Sequence, residues 1–121
     1  IEYDSTNDII STTKSVGTKD KKRDAVTKTA TTQFALDTFA KADFRAARYI
    51  VAMSKGSNFH STEIMMAHDG TNVDITEYGT LSDATLATFS ADISGSNVRL
   101  LCTPASSDST VIKFDRTLVD A

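Results

Sequence analysis

Apolar and polar residues alternate along most of the chain between Arg45 and Asp115, in six runs divided by short turns bearing Gly, Asn and Asp. Period two places successive side chains on opposite faces of an extended backbone, so each run predicts a strand with one face turned to a core. The clearest pair runs from Asn58 to His68 and from Val73 to Tyr78, with Asp69-Gly70-Thr71-Asn72 between them. Asp-Gly supplies the positive backbone angles of a tight hairpin and predicts antiparallel pairing of its flanks. Lys55-Gly56-Ser57-Asn58 and Ser94-Gly95-Ser96-Asn97 repeat that chemistry at two further corners.

The other runs extend the pattern. Ala87, Phe89, Ala91 and Ile93 alternate with Thr88, Ser90 and Asp92 in a strand predicted over 85–93. A strand over 98–103 follows and stops at Pro104, which has no N–H to give to a ladder. After a polar turn at 105–109, Ile112, Phe114, Arg116 and Leu118 share one parity and predict the last strand. A first strand is expected over 31–39. Between these, Phe39, Ala42, Ala46, Tyr49, Ile50 and Met53 fit a helical face, while Tyr49, Val51 and Met53 also fit a strand. A turn at 41–44 and a strand at 45–55 are preferred, because the hairpin at Lys55-Gly56 needs an extended partner. Strand signals at short intervals with no long helix between them predict an all-β fold, an antiparallel β-sandwich of jelly-roll-like form over residues 31–121. Leu100 and Leu101 point to opposite sides of one strand, so one of them needs cover outside a two-layer core, such as a subunit interface.

At 121 residues the chain is long enough for one domain with one core. Residues 1–30 differ from the rest: Thr, Ser and Lys dominate, and Ile9, Ile10 and Val16 are the apolar anchors. They read as an extended polar N-terminal segment or connector that packs on a neighbouring subunit. Its basic knot, Lys19, Lys21, Lys22 and Arg23, reads as a solvated loop, the alternative being a grip on a phosphate backbone or an anionic surface. A net charge of −3 argues against nucleic acid as a partner. The chain begins at Ile1 rather than Met, which fits a processed product or a piece of something longer. No apolar run approaches the 18 or so residues of a membrane span, so no membrane insertion is expected and the chain reads as soluble.

The residues offer little chemistry. Cys102 is the single cysteine, which excludes an intrachain disulfide and a multi-cysteine zinc site; on its strand it reads as a small buried side chain. His60 and His68 stand eight positions apart on one predicted strand, about 27 Å at ~3.4 Å per residue, too far to share a metal. Each reads as an edge or surface histidine. Asp69, Asn72, Asp74 and Glu77 are hard oxygen ligands, but Thr71 and Val73 stand where a calcium loop needs Asp or Asn, and Asp69 reads as a turn cap. No Gly-x-Ser-x-Gly elbow and no Gly-rich phosphate loop occurs. No catalytic, cofactor-binding or metal-binding residue is therefore assigned, and no cofactor is expected. Sugar recognition relies on exposed rings, and the chain has no Trp and three Tyr, at 3, 49 and 78. Tyr78, beside Gly79 at the end of a predicted strand, is the candidate ligand contact, with core or rim packing as the alternative. A glycan would then meet loops near Tyr78 and the 105–109 turn. The Phe residues read as core.

The order of motifs adds a resemblance. Arg45-Ala-Ala-Arg-Tyr-Ile-Val51, His68-Asp-Gly70, Thr76-Glu-Tyr-Gly79, Thr88-Phe-Ser-Ala-Asp-Ile-Ser-Gly95, Asn97-Val-Arg-Leu-Leu101 and Thr103-Pro-Ala105 together resemble a β-sandwich module of virion structural proteins in marine tailed phages, especially T4-like cyanophages. The similarity covers roughly residues 33 to 118 and leaves the N-terminal segment outside. It implies a non-enzymatic module of a tail fibre, baseplate or capsid-decorating protein, located in the virion. Other virion proteins and copies of the chain itself, a trimer among the options, are the partners it implies. Assembly or host attachment would be the role; a carbohydrate-binding module reading a host surface glycan is the alternative.

Overall fold

The computed structural model describes residues 21–121. Tyr3, Ile9, Ile10, Val16 and Lys19, discussed above, lie outside the described residues. Eight antiparallel strands follow in chain order: β1 (Lys21–Lys28), β2 (Phe34–Ala40), β3 (Phe44–Lys55), β4 (Asn58–His68), β5 (Val73–Ser82), β6 (Ala87–Ser94), β7 (Asn97–Pro104) and β8 (Thr110–Asp120). They build a five-stranded sheet in the order β1-β8-β3-β4-β5 and a three-stranded sheet in the order β2-β7-β6. The fold is the expected all-β antiparallel sandwich, with no helix among the described residues. β1 pairs with β8 and β2 with β7 across long stretches of sequence, while β3-β4-β5 runs on as a meander in one sheet.

The hairpins form where the turn residues put them. Gly56 and Gly95 both lie at φ 60°, a conformation an L side chain disfavours, and each opens a two-residue turn between paired strands. At the third hairpin the Asp69 carboxylate accepts from the backbone N–H of Asn72 at 2.7 Å and of Thr71 at 2.9 Å, so Asp69 is the turn cap expected. Those two bonds hold its carboxyl below the usual range, Asn72 contributing most.

Between the sheets Tyr49, Val51, Ile64, Val98, Leu100, Cys102 and Ile112 are fully buried, each larger apolar one contributing roughly 1.5–3 kcal/mol. Burial pushes the Cys102 thiol up to about 12, so it stays a neutral core side chain. Leu100 faces this core while Leu101, half-buried, lies on the outer side between Ala35 and Ser90. The segment from Phe39 to Met53 is strand, turn and strand, and the helical alternative fails.

Four features differ from the sequence reading. Lys21, Lys22 and Arg23 are on strand β1, paired with Thr117, Arg116 and Asp115, instead of in a solvated loop. The strand has few apolar residues, but its inward cations find partners: Lys22 Nζ reaches Asp37 at 2.9 Å and Lys28 Nζ sits 4.3 Å from the Phe34 ring centroid. Secondly, β5 does not stop at Tyr78 but continues through Gly79, at φ 64°, where the register with β4 shifts and Thr80 Oγ1 meets Thr62 Oγ1 at 2.9 Å. Thirdly, both histidines are buried, not surface groups, because both fall on the inward parity of β4. His60 Nδ1 accepts from Leu86 N–H at 3.1 Å. His68 Nδ1 accepts from Gly70 N–H at 3.0 Å, which leaves Nε2–H to donate to the Phe44 carbonyl at 2.6 Å. They pin the ends of β4 to neighbouring chain segments. Finally, Phe59 is not core but 51% exposed, on the outer parity of the same strand.

Candidate functional site

Two places gather polar side chains, one inside the sandwich and one on its surface. The inner one centres on Asp37. Between Ala35 and Asp37 the pairing of β2 with β7 slips by one residue, so Leu36 and Asp37 both turn inward. The Asp37 side chain is 0% exposed and accepts from Tyr49 Oη at 2.8 Å, Arg116 Nη1 at 2.9 Å and Lys22 Nζ at 2.9 Å. One carboxylate of the small sheet thus ties β3, β8 and β1 of the large one. Burial, followed by the nearby Asp37 charge, raises the Tyr49 phenol far above its ordinary value, so it remains a donor. All three bonds that Asp37 accepts come from side chains of its own fold.

The surface place is the outer face of the five-stranded sheet. Among the described residues Ile50, Phe59, Met65, Tyr78, Leu81 and Val119 are the large apolar side chains left exposed, Leu81 at 69%. All six project from that one face, since Arg48, Ile50 and Ala52 on β3 alternate with buried Ala47, Tyr49 and Val51, and the partners across each ladder keep the parity. The outer face of the small sheet is different: Thr88, Ser90, Asp92, Arg99 and Thr103 line it, with Arg99 and Asp92 joined through two bonds of 2.8 and 2.6 Å. Chance scatter of exposed apolar residues would not leave one face nearly free of them.

Tyr78 is 38% exposed on the apolar face. Its Oη donates to Glu63 Oε1 at 3.1 Å, and Arg48 donates to the same oxygen through Nη2 at 2.7 Å and Nε at 3.1 Å. The three residues lie on adjacent strands β5, β4 and β3 and form a short polar bar across the sheet. The Arg48 bond, then the Tyr78 bond, hold the Glu63 carboxyl below its ordinary range, and Arg48 is raised by the same bond from Glu63. A lowered folded-state pKa means that this contribution to stability is present above the ordinary carboxylate range and is lost as pH falls through the folded value. Titration of Glu63 followed by carboxyl-carbon NMR is expected to give a midpoint below 4.5, moving partly back in Tyr78→Phe; a midpoint at or above 4.5 contradicts the geometry.

The structure does not bring Tyr78 to the 105–109 turn. That turn precedes β8, and β3 and β4 separate β8 from β5, roughly 14 Å at about 4.8 Å per strand. Arg48 and Glu63 were not singled out from sequence. The readable signal was a pair of opposite charges on the outward parities of two strands joined by the Gly56 hairpin, which its register sets almost opposite each other. Among the described residues no cluster of His, Cys, Asp and Glu suits a metal ion.

No protein-family model matches the chain, and no curated protein matches it significantly. Solved structures do. The chain is similar to part of the tailspike protein of Acinetobacter phage vB_ApiP_P1, with a TM-score of 0.56 and 16% identity over 82% of this chain and 22% of that one. The tailspike protein of Acinetobacter baumannii phage AM24 matches at a TM-score of 0.44 and 10% identity, over 84% and 26% of the two chains. Tailspike protein gp49 of Acinetobacter baumannii bacteriophage Fri1, a capsular polysaccharide depolymerase, matches at 0.35 and 13%, over 83% and 20%. The chain therefore spans about a fifth to a quarter of the length of these proteins. The first likeness establishes a sandwich fold shared with a segment of a phage tailspike.

Proposed function

We propose that the chain is a non-enzymatic module of a phage tail, of tail-fibre or tailspike type, that acts in assembly or host attachment through the outer face of its five-stranded sheet. The gathering of all six large exposed apolar side chains on that face carries the reading. Such a face in water marks a contact surface rather than a reaction site. The sandwich shared with part of a tailspike supports the tail context, and the motif order from Arg45 to Ala105 supports a virion protein of the marine T4-like cyanophage type. A role without bond chemistry is supported by Asp37, Tyr49, His60 and His68, buried ionisable groups whose hydrogen bonds are all directed to their own fold. Mass spectrometry of purified virions carrying this chain should recover it in stoichiometric amounts with tail proteins. Its absence from intact particles refutes the reading.

A second reading, recognition of a host surface glycan, is favoured by the Tyr78-Glu63-Arg48 bar. A ring edge beside a carboxylate and a guanidinium offers stacking surface with fixed acceptors and donors for hydroxyl groups. On an array of bacterial capsular and lipopolysaccharide glycans this reading expects binding that Tyr78→Ala abolishes. Absence of binding to every glycan leaves contact between proteins as the role of the face.

A further inference from the structure

The two edges of the five-stranded sheet are held in different ways. β5, at one edge, packs Val73 and Ile75 against the core and is tied to β4 by the hairpin that Asp69 caps. β1, at the other, has β8 as its one ladder partner among the described residues, about ninety positions away in the chain. Its inward positions are Lys22, Asp24, Val26 and Lys28, of which Val26 alone is apolar, and that side chain is only partly buried. What fastens the strand besides the ladder is charge: Lys22 Nζ on Asp37 at 2.9 Å, Arg23 Nε on Asp115 at 3.0 Å, and Lys28 Nζ over the Phe34 ring. The Lys22 side chain is 40% and that of Arg23 86% exposed, so water already reaches both cations and weakens their hold. No residue of β1 belongs to the buried core, and with β1 away Asp37 would still accept from Tyr49 and Arg116.

We infer that β1 is a strap that comes off the sandwich as a unit while β2 to β8 stay folded. Its release breaks one edge ladder, three cation contacts and the cover of one valine, far less than dissolving the core, and segments held in this way open well below the free energy of global unfolding. The connector 29–33, exposed throughout and fixed at its far end by Gln33 Nε2 donating to Ser90 Oγ at 3.2 Å, supplies the hinge. Release bares the edge of β8, whose unpaired N–H and C=O groups are a template for an added strand. The strap thus covers a strand-accepting edge, and this inference stands apart from the role proposed above.

Amide hydrogen exchange of the full chain, followed by NMR, tests it. Protected amides of β1 should exchange at least about a hundredfold faster than those of β3 and β4. Low urea should speed exchange in β3 steeply and in β1 hardly at all, because the opening exposes little surface. Leu100→Ala, on the central strand of the small sheet, should speed β3 at least about thirtyfold and leave β1 unchanged, since the lost contact is common to the strapped and open forms. Lys22→Met keeps the stem and drops the charge, and it should speed β1 about tenfold. Exchange of β1 in step with β3, either in urea or in Leu100→Ala, overturns the strap, because β1 would then leave only when everything unfolds. Exchange of β1 at the rate of an unfolded peptide denies its pairing with β8. A β1 rate that Lys22→Met leaves unaltered removes the Asp37 contact as its fastening.

Discussion

Asp37→Ala is expected to lower the unfolding free energy by about 3–5 kcal/mol, the cost of removing one partner of a buried ion pair. Against the 5–15 kcal/mol of a typical domain, that is enough to leave much of the chain unfolded at moderate temperature. The reason lies in what stays behind: the Arg116 guanidinium, 10% exposed, would lose its carboxylate, and the Tyr49 hydroxyl, inside the core, would lose its acceptor. Asp37→Asn keeps the volume and an acceptor oxygen but loses the charge, so a smaller deficit is expected. Asp37→Leu with Arg116→Met and Tyr49→Phe removes the carboxylate together with its two buried donors, and recovery of most of the stability is expected, because apolar replacement of a whole buried polar cluster is often neutral or better. Urea denaturation of the four proteins checks the sequence of stabilities; an Asp37→Ala chain within about 1 kcal/mol of wild type would show that the pair adds nothing to the fold.

The second large effect separates two neighbouring leucines. Leu100→Ala is expected to cost about 2–5 kcal/mol, since the side chain is fully buried between Val51-bearing and Phe39-bearing layers of one core cluster. Leu101→Ala, one residue on, should cost within about 1 kcal/mol, because that side chain is half-buried on the polar outer face of the small sheet. Equal losses at the two sites, measured by thermal or urea unfolding, would mean that the face assignment of β7 is wrong.

What the sequence makes legible is the set of strands whose periodicity is uninterrupted. From Arg45 onward the alternation of Tyr49, Val51 and Met53, of Ile112, Phe114, Arg116 and Leu118, and of Ala87 to Ile93 matches the inward faces of β3, β8 and β6, and the glycine turns fix the hairpins between them. The pattern misleads where a bulge changes parity. Simple alternation puts Asp37 with Ala35 on one side, whereas the slip after Ala35 turns Asp37 into the core beside Leu36. Gly79 does the same to β5. β1 is hard to read for another reason: its inward positions carry Lys22, Asp24 and Lys28 beside the single apolar Val26, and only the ladder to β8, about ninety positions away, brings Lys22 to Asp37. The same holds for the surface. Six exposed apolar residues scattered over four strands look like six accidents until the register places them on one face.

The pairing of β1 with β8 joins the first described strand to the last, with Arg23 and Asp115 in contact across 92 positions. Closing so long a loop consumes chain entropy before any contact repays it, and folds dominated by such distant pairings acquire native structure on the millisecond-to-second scale. During synthesis β1 must therefore wait, unpaired and charged, until β8 has left the ribosome. Its lysines and arginine keep that waiting edge from sticking to other nascent chains.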